Sequence, residues 1–361
     1  MNRKELVDAL NTVKPAIASG AVSIESFGYF FFEEGKVTAW NDRIGITVPF
    51  DGYGEGESPI DGAVEAVNLL GFLTRHDAKT VNLQMLSDGE IQFDCKKGRS
   101  KIVCKYMEPD DFIFEPATLE SDNVVTIDID PELLLGMELC LLCSAKVEAS
   151  AYVMGVNFDN KAGEMWSTDM NKMAKYPLST KLATDNFILS ADFCETLILL
   201  QQKYKAKSTL SIDVEEGMAC ATIGECRLIG KLIADDEEPL TFSGILEDTV
   251  GKDYSDLFVK TPKGFHESID RQVFIASNSK HTHGTTLTIA SGKMHLFTDT
   301  GIERGDEDLK VHKDHPDVEL VIQAEYILPG TLHCDEFFVD GTVLAMRGEN
   351  GYEYVTSHSN T

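Results

Sequence analysis

Few residues in this chain stand at spacings that could do chemistry. Cys140 and Cys143, in "CLLC", have the two-residue gap of a metal or redox pair. They lie inside a Leu-rich run with no second pair nearby, so they read as small core hydrophobes. The other six cysteines (95, 104, 194, 220, 226 and 334) are unevenly spaced, as in a protein of a reducing compartment. His281 and His283, in "HTH", could ligate a metal, but no carboxylate cluster accompanies them. No phosphate loop, nucleophile elbow or carboxylate–metal motif stands out. The expectation is therefore a non-enzyme with no cofactor and no metal. What remains is charge. Lys203, Lys205 and Lys207 are the most concentrated cations of the helical stretches. Long cationic side chains hold phosphates without reading bases.

The chain has 361 residues, 60 acidic and 32 basic, for a net charge of −28. Its length implies two or three domains. The charge excludes a protein whose whole surface grips nucleic acid but leaves room for a local basic surface. No apolar run reaches the roughly 18 to 20 residues of a membrane span. The start "MNRKELVDAL" lacks the apolar core of a signal peptide. A cytoplasmic protein without membrane contact is expected.

The elements that position these residues repeat. "VTAWNDRIGI" (37–46), "EMWSTDMNKMA" (164–174) and "HLFTDTGIERG" (295–305) each run from a short apolar strand into an Asp turn. Asp42, Asp169 and Asp299 are about 127 and about 130 residues apart. Apolar periodicity predicts a helix before each turn region: 2–14, closed by Pro15; 129–146, with Asp130 as N-cap and Pro131 first; and 265–280. Hairpin strands follow each helix. A second helix and further strand pairs come next in each third, with helices at 61–75, 190–207 and, before Pro329, 321–328. The order of six helix-plus-strands units in three pairs is an internal repeat. It gives an α+β fold of three similar domains, 1–118, 119–247 and 248–361.

On "GRSKIVCKYMEPDDF" (98–112), "YVMGVNF" with "STDMNKMA" (152–174), and "YSDLFVKTP" with "FIASNSK" (254–280), the chain resembles the bacterial-type beta sliding clamp, the processivity factor of replicative DNA polymerase. The resemblance covers essentially the whole chain. It implies three clamp domains with helices inside and sheets outside, and two subunits closed head to tail around duplex DNA. The partners it implies are double-stranded DNA, a DNA polymerase, a clamp loader and a second copy of the chain.

The resemblance also implies sites. DNA contact would fall to Arg3, Lys4, Arg75, Lys146, Lys203, Lys205, Lys207, Arg271 and Lys280. Tyr152 matches a DNA-touching tyrosine and reads equally as a strand-end core residue. A peptide groove would be walled by Val153, Gly155, Thr168, Asn171, Lys172, Met173, Ser255, Val343 and Val355. The contact between subunits would set Ile102 and Cys104 against Ile275 and Ala276. The chain departs from the pattern in three places. It ends "YVTSHSNT" in place of an apolar Met-Pro-Met-like tail, Ser255 stands near an expected Pro, and Asn171 and Lys172 replace a His-Arg pair. A divergent clamp, for instance a viral one, would look like this. The helical windows (3–14, 61–79, 130–148, 190–207, 263–280 and 321–328) sum to about −2, against about −7 for a proportional share of the charge. The direction suits a ring that repels DNA outside its hole. The rival reading is a clamp-like scaffold that neither closes a ring nor meets DNA.

Overall fold

In the computed structural model of the chain, the residues described are 1–18, 24–53, 60–86, 89–95, 99–112, 119, 123–145, 150–179, 182–234, 254–278, 284–312 and 315–357. Their elements repeat three times. The first repeat is α1 (Arg3–Val13), β1 (Tyr29–Glu33), β2 (Lys36–Trp40), β3 (Ile44–Pro49), β4 (Gly62–Glu65), α2 (Ala66–Thr74), β5 (Val81–Met85), β6 (Glu90–Cys95) and β7 (Ser100–Met107). The second is β8 (Val125–Asp128), α3 (Pro131–Leu141), β9 (Gly155–Asp159), β10 (Glu164–Thr168), β11 (Lys172–Pro177), β12 (Phe187–Ser190), α4 (Ala191–Tyr204), β13 (Ser208–Asp213), β14 (Met218–Ile223) and β15 (Cys226–Lys231). The third is β16 (Val259–Lys260), α5 (Phe265–Ser277), β17 (Thr285–Ala290), β18 (Lys293–Asp299), β19 (Arg304–Lys310), β20 (Val318–Ile322), α6 (Ala324–Thr331), β21 (Cys334–Val339), β22 (Val343–Gly348) and β23 (Glu353–Ser357).

Two compact units form. One holds Met1–Asp130 with Asp192–Leu232, the other Pro131–Ala191 with Ile233–Thr361. The division therefore cuts through the expected middle domain. The expected boundary stretches, 116–123 and 244–254, lie outside the described residues except for 119, 123 and 254. Unit 1 contains an 11-stranded sheet in the order β5-β6-β7-β4-β1-β2-β3-β15-β14-β13-β8. Unit 2 contains an eight-stranded sheet, β12-β9-β10-β11-β23-β22-β21-β16, and a four-stranded sheet, β19-β18-β17-β20. Helices bury one stripe each. In α1 this is Leu6, Ala9, Leu10 and Val13, and Asn2 Oδ1 caps the helix by accepting from the Lys4 N–H at 3.0 Å.

Four expectations are corrected. The helix expected at 61–75 starts only at Ala66, because Gly62–Glu65 pairs with β1 as a strand. The one expected at 321–328 is α6, which starts at Ala324 and holds Pro329 in its last turn, where the missing N–H costs the helix one intrahelical bond. The helix expected to reach Lys207 ends at Tyr204, and Lys205 takes a left-handed φ of 49°. The three Asp turns are not in strict register. Asp169 Oδ1 accepts from the Asn171 and Lys172 N–H groups, each at 3.0 Å. Asn41 fills that role in the first repeat and Thr300 in the third. Asp42 stands instead with Met170 and Gly301, at φ of 73°, 73° and 75°.

Two strand junctions share one design. In unit 1, β3 pairs antiparallel with β15, Gly45 facing Ile229 and Thr47 facing Arg227. In unit 2, β11 pairs antiparallel with β23, Met173 facing Val355 and Lys175 facing Glu353. Each joins the third strand of a first half-repeat to the last strand of a second half-repeat. The remaining strands of these two types are β19 and β7. Among the described residues β19 pairs with β18 alone. Along Ser100–Lys105, β7 has β6 on one side and, among the described residues, no strand on the other, since β4 reaches only Tyr106 and Met107.

Candidate functional site

Six of the candidate cations lie in unit 1. Lys4 is exposed on α1. Arg3 is spent on its own repeat: Nε donates to the Ala78 carbonyl and Nη1 to the Leu73 carbonyl, both at 2.7 Å, which satisfies the end of α2 and the chain after it. Arg75 Nη1 donates to the Gly71 carbonyl at 3.1 Å within its own helix. Lys203 reaches across to α1, donating to Thr12 Oγ1 at 2.5 Å. Lys205 and Lys207 are exposed just past α4, with Lys207 3.7 Å from Asp128. In unit 2, Arg271 is held by Glu307 at 2.6 Å. That contact, aided by the Ser268 hydroxyl, keeps the Glu307 carboxyl below its usual range. Lys146, Lys280 and the "HTH" histidines lie outside the described residues. Arg3 and Arg271 thus serve their own fold first, and Lys4, Lys203, Lys205 and Lys207 are the exposed lysines of the set. In unit 2, α3 has the opposite character and exposes Glu132, Leu135 and Glu138.

The groove residues gather on one face of the eight-stranded sheet in unit 2. Met173, Val343 and Val355 form a cluster with Trp166, Phe338 and Ala345. Alternation puts them together: Trp166 and Thr168 on β10, Met173 on β11, Val355 on β23, Val343 and Ala345 on β22. Thr168 and Asn171 shape the adjoining turn, where Thr168 Oγ1 donates to the Lys172 carbonyl at 2.9 Å. Lys172 turns inward, its Nζ donating to the Leu142 carbonyl at 2.5 Å. Gly155 is required by packing, since a Cβ there would lie 2.1 Å from the Leu189 carbonyl oxygen. Val153 is buried in a 3-10 turn. Ser255 lies in the turn Tyr254–Leu257.

The expected open apolar floor is corrected. Met173, Val343 and Val355 are 4%, 3% and 5% exposed, because Tyr152, Tyr254 and Phe258 pack over the cluster. Phe258 meets Phe338 edge-on at 5.6 Å, and the Arg347 guanidinium lies 4.1 Å above the Phe258 ring. Charges continue the face: Arg347 with Glu353 at 3.3 Å, and Glu353 with Lys175 at 3.3 Å. Of the two readings of Tyr152 the structure shows packing: its ring lies against this cluster and its hydroxyl faces Met170 Sδ at 3.6 Å. Trp166, Phe338, Tyr254 and Phe258 were missed in the sequence. The alternating strands "EMWST" and "CDEFFV" carried the signal for the first two.

At the free edges, Ile102 and Cys104 share the inward face of β7. Cys104 is already buried at 1% exposure, and burial lifts its thiol to about 12. It therefore has no area left to give to a second copy, which corrects that assignment. Val103 beside it is 45% exposed. Ile275 on α5 lies over β19, where a Cβ on Gly305 would meet its Cδ1 at 2.6 Å. Ala276 is half-buried next to it. The "CLLC" thiols are buried, with Cys140 Sγ facing the Met165 carbonyl at 3.6 Å.

No family model matches the chain, and no curated protein matches it. Solved structures do. The chain is similar over its full length to the DNA polymerase III subunit beta from Pseudomonas aeruginosa, at 15% identity and a TM-score of 0.78, covering 99% of that chain. It is similar to a putative DNA polymerase III beta subunit from Eubacterium rectale, at 14% identity and a TM-score of 0.79, again covering all of this chain and 98% of that one. The DNA polymerase III beta subunit from Thermotoga maritima matches at 16% identity and a TM-score of 0.75, with 100% and 98% covered. The fold is therefore the α+β fold of the three-domain sliding clamps. No helix among the described residues is long and apolar enough to cross a membrane.

Proposed function

We propose that the chain is a DNA sliding clamp: a non-enzymatic cytoplasmic ring of two copies that encircles duplex DNA and tethers a DNA polymerase, placed there by a clamp loader. Its domains would be 1–118, 119–247 and 248–361. One observation carries the reading. Two junctions of the same type, β3·β15 and β11·β23, are formed within the chain, and the repeat leaves β19 and β7 as the two halves of a third. A second copy supplies the missing strand at each end, and head-to-tail pairing that closes hides both edges. The solved chains of this fold named above are DNA polymerase III beta subunits, and others of similar fold are called DNA polymerase sliding clamps.

The test is topological. Protein loaded on closed circular duplex should stay, and should leave once the circle is cut. Equal retention on linear and circular DNA refutes encirclement. The scaffold reading draws on α3, whose exposed Glu132 and Glu138 would repel phosphate. It requires a protein of 39.9 kDa that stays monomeric.

A further inference from the structure

The two junctions within the chain place different side chains on equivalent positions. In unit 2 the face is filled by Trp166, Met173 and Lys175. By hairpin register the same positions in unit 1 are Thr38, Gly45 and Thr47. Three large groups are replaced by small ones, and a cavity of about 380 Å³ opens on that face. This is the size of a small binding pocket. Its floor is Thr38, Thr47, Gly45 and Ile229. The two threonine hydroxyls lie 2.9 Å apart and bond each other, which uses one of their two O–H donors. Ile229 is 3% exposed.

Charge is graded along the cleft. Glu33 and Glu34, at the β1–β2 turn, and Glu225, at the β14–β15 turn, stand at one end. All three are exposed, and none forms an ion pair among the described residues. Lys36 is the one cation beside them in the lining. Arg227 is drawn the other way, its Nε donating to Cys220 Sγ at 3.2 Å, and Cys220 faces Ile229. The glutamate end carries net negative charge, and the other end is Gly45 and Ile229 with Arg227 leaning toward it.

We propose that this cleft docks an extended basic segment of a partner protein. An apolar side chain sits on Gly45 and Ile229. A Lys or Arg about four residues further along, at roughly 3.3 Å per residue, meets Glu33, Glu34 and Glu225. The net charge of −28 favours a cationic segment at long range. The site rests on unit 1 alone and stands apart from ring closure.

The experiment is fluorescence anisotropy at low salt with two labelled hexapeptides, Leu-Thr-Val-Thr-Lys-Lys and its charge-reversed form Leu-Thr-Val-Thr-Glu-Glu. The basic peptide should bind about tenfold tighter or more, and weaken with salt. Gly45→Met and Thr38→Trp each place a unit 2 side chain in the cleft. Each should lower affinity about tenfold with the melting curve still cooperative, and two plugs guard against one that fails to fold. Glu34→Lys with Glu225→Lys should remove the preference. Equal binding of the two peptides, no binding of the basic one at millimolar concentration, or full binding by both plugged variants overturns the proposal.

Discussion

The third junction can be written residue by residue, which makes ring closure testable. Hairpin register makes Thr47, Lys175 and Asp306 equivalent. It likewise makes Arg227, Glu353 and Lys101 equivalent, each one step past the turn that opens its strand. Where Thr47 faces Arg227 and Lys175 faces Glu353 within the chain, Asp306 should face Lys101 of a second copy. One step outward, Asp308 should face Arg99. The strands are then complementary in charge, and Lys175 with Glu353, at 3.3 Å, shows the same position holding an ion pair of reversed order. An exposed cross-strand pair contributes about 0.2–1 kcal/mol. Lys101→Glu removes that attraction and sets like charges opposite, for a loss of about 1–2 kcal/mol per junction. The figure is kept low because Arg304 and His295 already neighbour Asp306, at 3.6 and 3.7 Å. A closed pair contains the junction twice, so dissociation should rise roughly 30- to 1,000-fold. Sedimentation velocity across a dilution series reads this. Lys101→Glu should shift the chain toward its 39.9 kDa monomer, and Asp306→Lys in the same molecule should restore the dimer. A single variant that assembles like wild type, or a charge swap that fails to restore assembly, refutes the register.

Three further outcomes are expected. Phe258→Ala should uncover the cluster of Trp166, Met173 and Val355, costing about 1–3 kcal/mol for a half-buried ring while strengthening binding of an apolar polymerase-derived peptide; calorimetry that finds affinity unchanged places docking elsewhere. It is a cleaner probe than Met173→Asp, which would set a carboxylate in a site only 4% exposed. Lys4→Glu with Lys205→Glu and Lys207→Glu should weaken sequence-blind duplex binding and flatten its salt dependence by about one unit of slope per lost phosphate contact, at little cost in melting temperature; an unchanged slope removes these lysines from the interface. His315 is buried against Phe337 and accepts from the Val339 N–H, and burial pushes its pKa below 6.5. Its neutral form favours the fold, so this contribution is whole above about pH 6.5 and is lost as pH falls through the depressed value. Melting between pH 8 and 5 should therefore show an acid loss that His315→Gln reduces, and parallel curves would show that His315 is not responsible.

How much of this was legible follows from the range of each signal. Helices such as α1 and α4 were readable because their apolar stripe spans several turns, and the threefold order was readable because it is a property of spacing. The short strands ahead of the helices were not. Gly62–Glu65 and Phe187–Ser190 contain too few residues to show a period of two; the first merged into the helix expected at 61–75, and the second drew no reading of its own. The capping role shared by Asn41, Asp169 and Thr300 was hidden because three residue types perform it, while the shared letter Asp at 42 marks a different backbone position. Arg3 and Arg271 looked free for phosphate, since nothing local reveals that Leu73, Ala78 and Glu307 wait across the fold. The cover over the groove is also non-local: Phe258 meets Phe338 from 80 positions away.

The position shared by Gly45, Met173 and Arg304 shows why the fold outlasts sequence likeness. The backbone at each place can pair through its N–H and C=O groups whatever side chain it carries, so the junction geometry sets few demands on residue type. The side chain is then free to specialise. Gly45 opens a cleft, Met173 closes a packed cluster under aromatic rings, and Arg304 stands on β19, which among the described residues pairs with β18 alone. A chain built from such junctions can drift to 14–16% identity while holding TM-scores of 0.75–0.79. The fold is shared at that identity, and among the described residues its strand order leaves one edge of β7 and one edge of β19 unpaired.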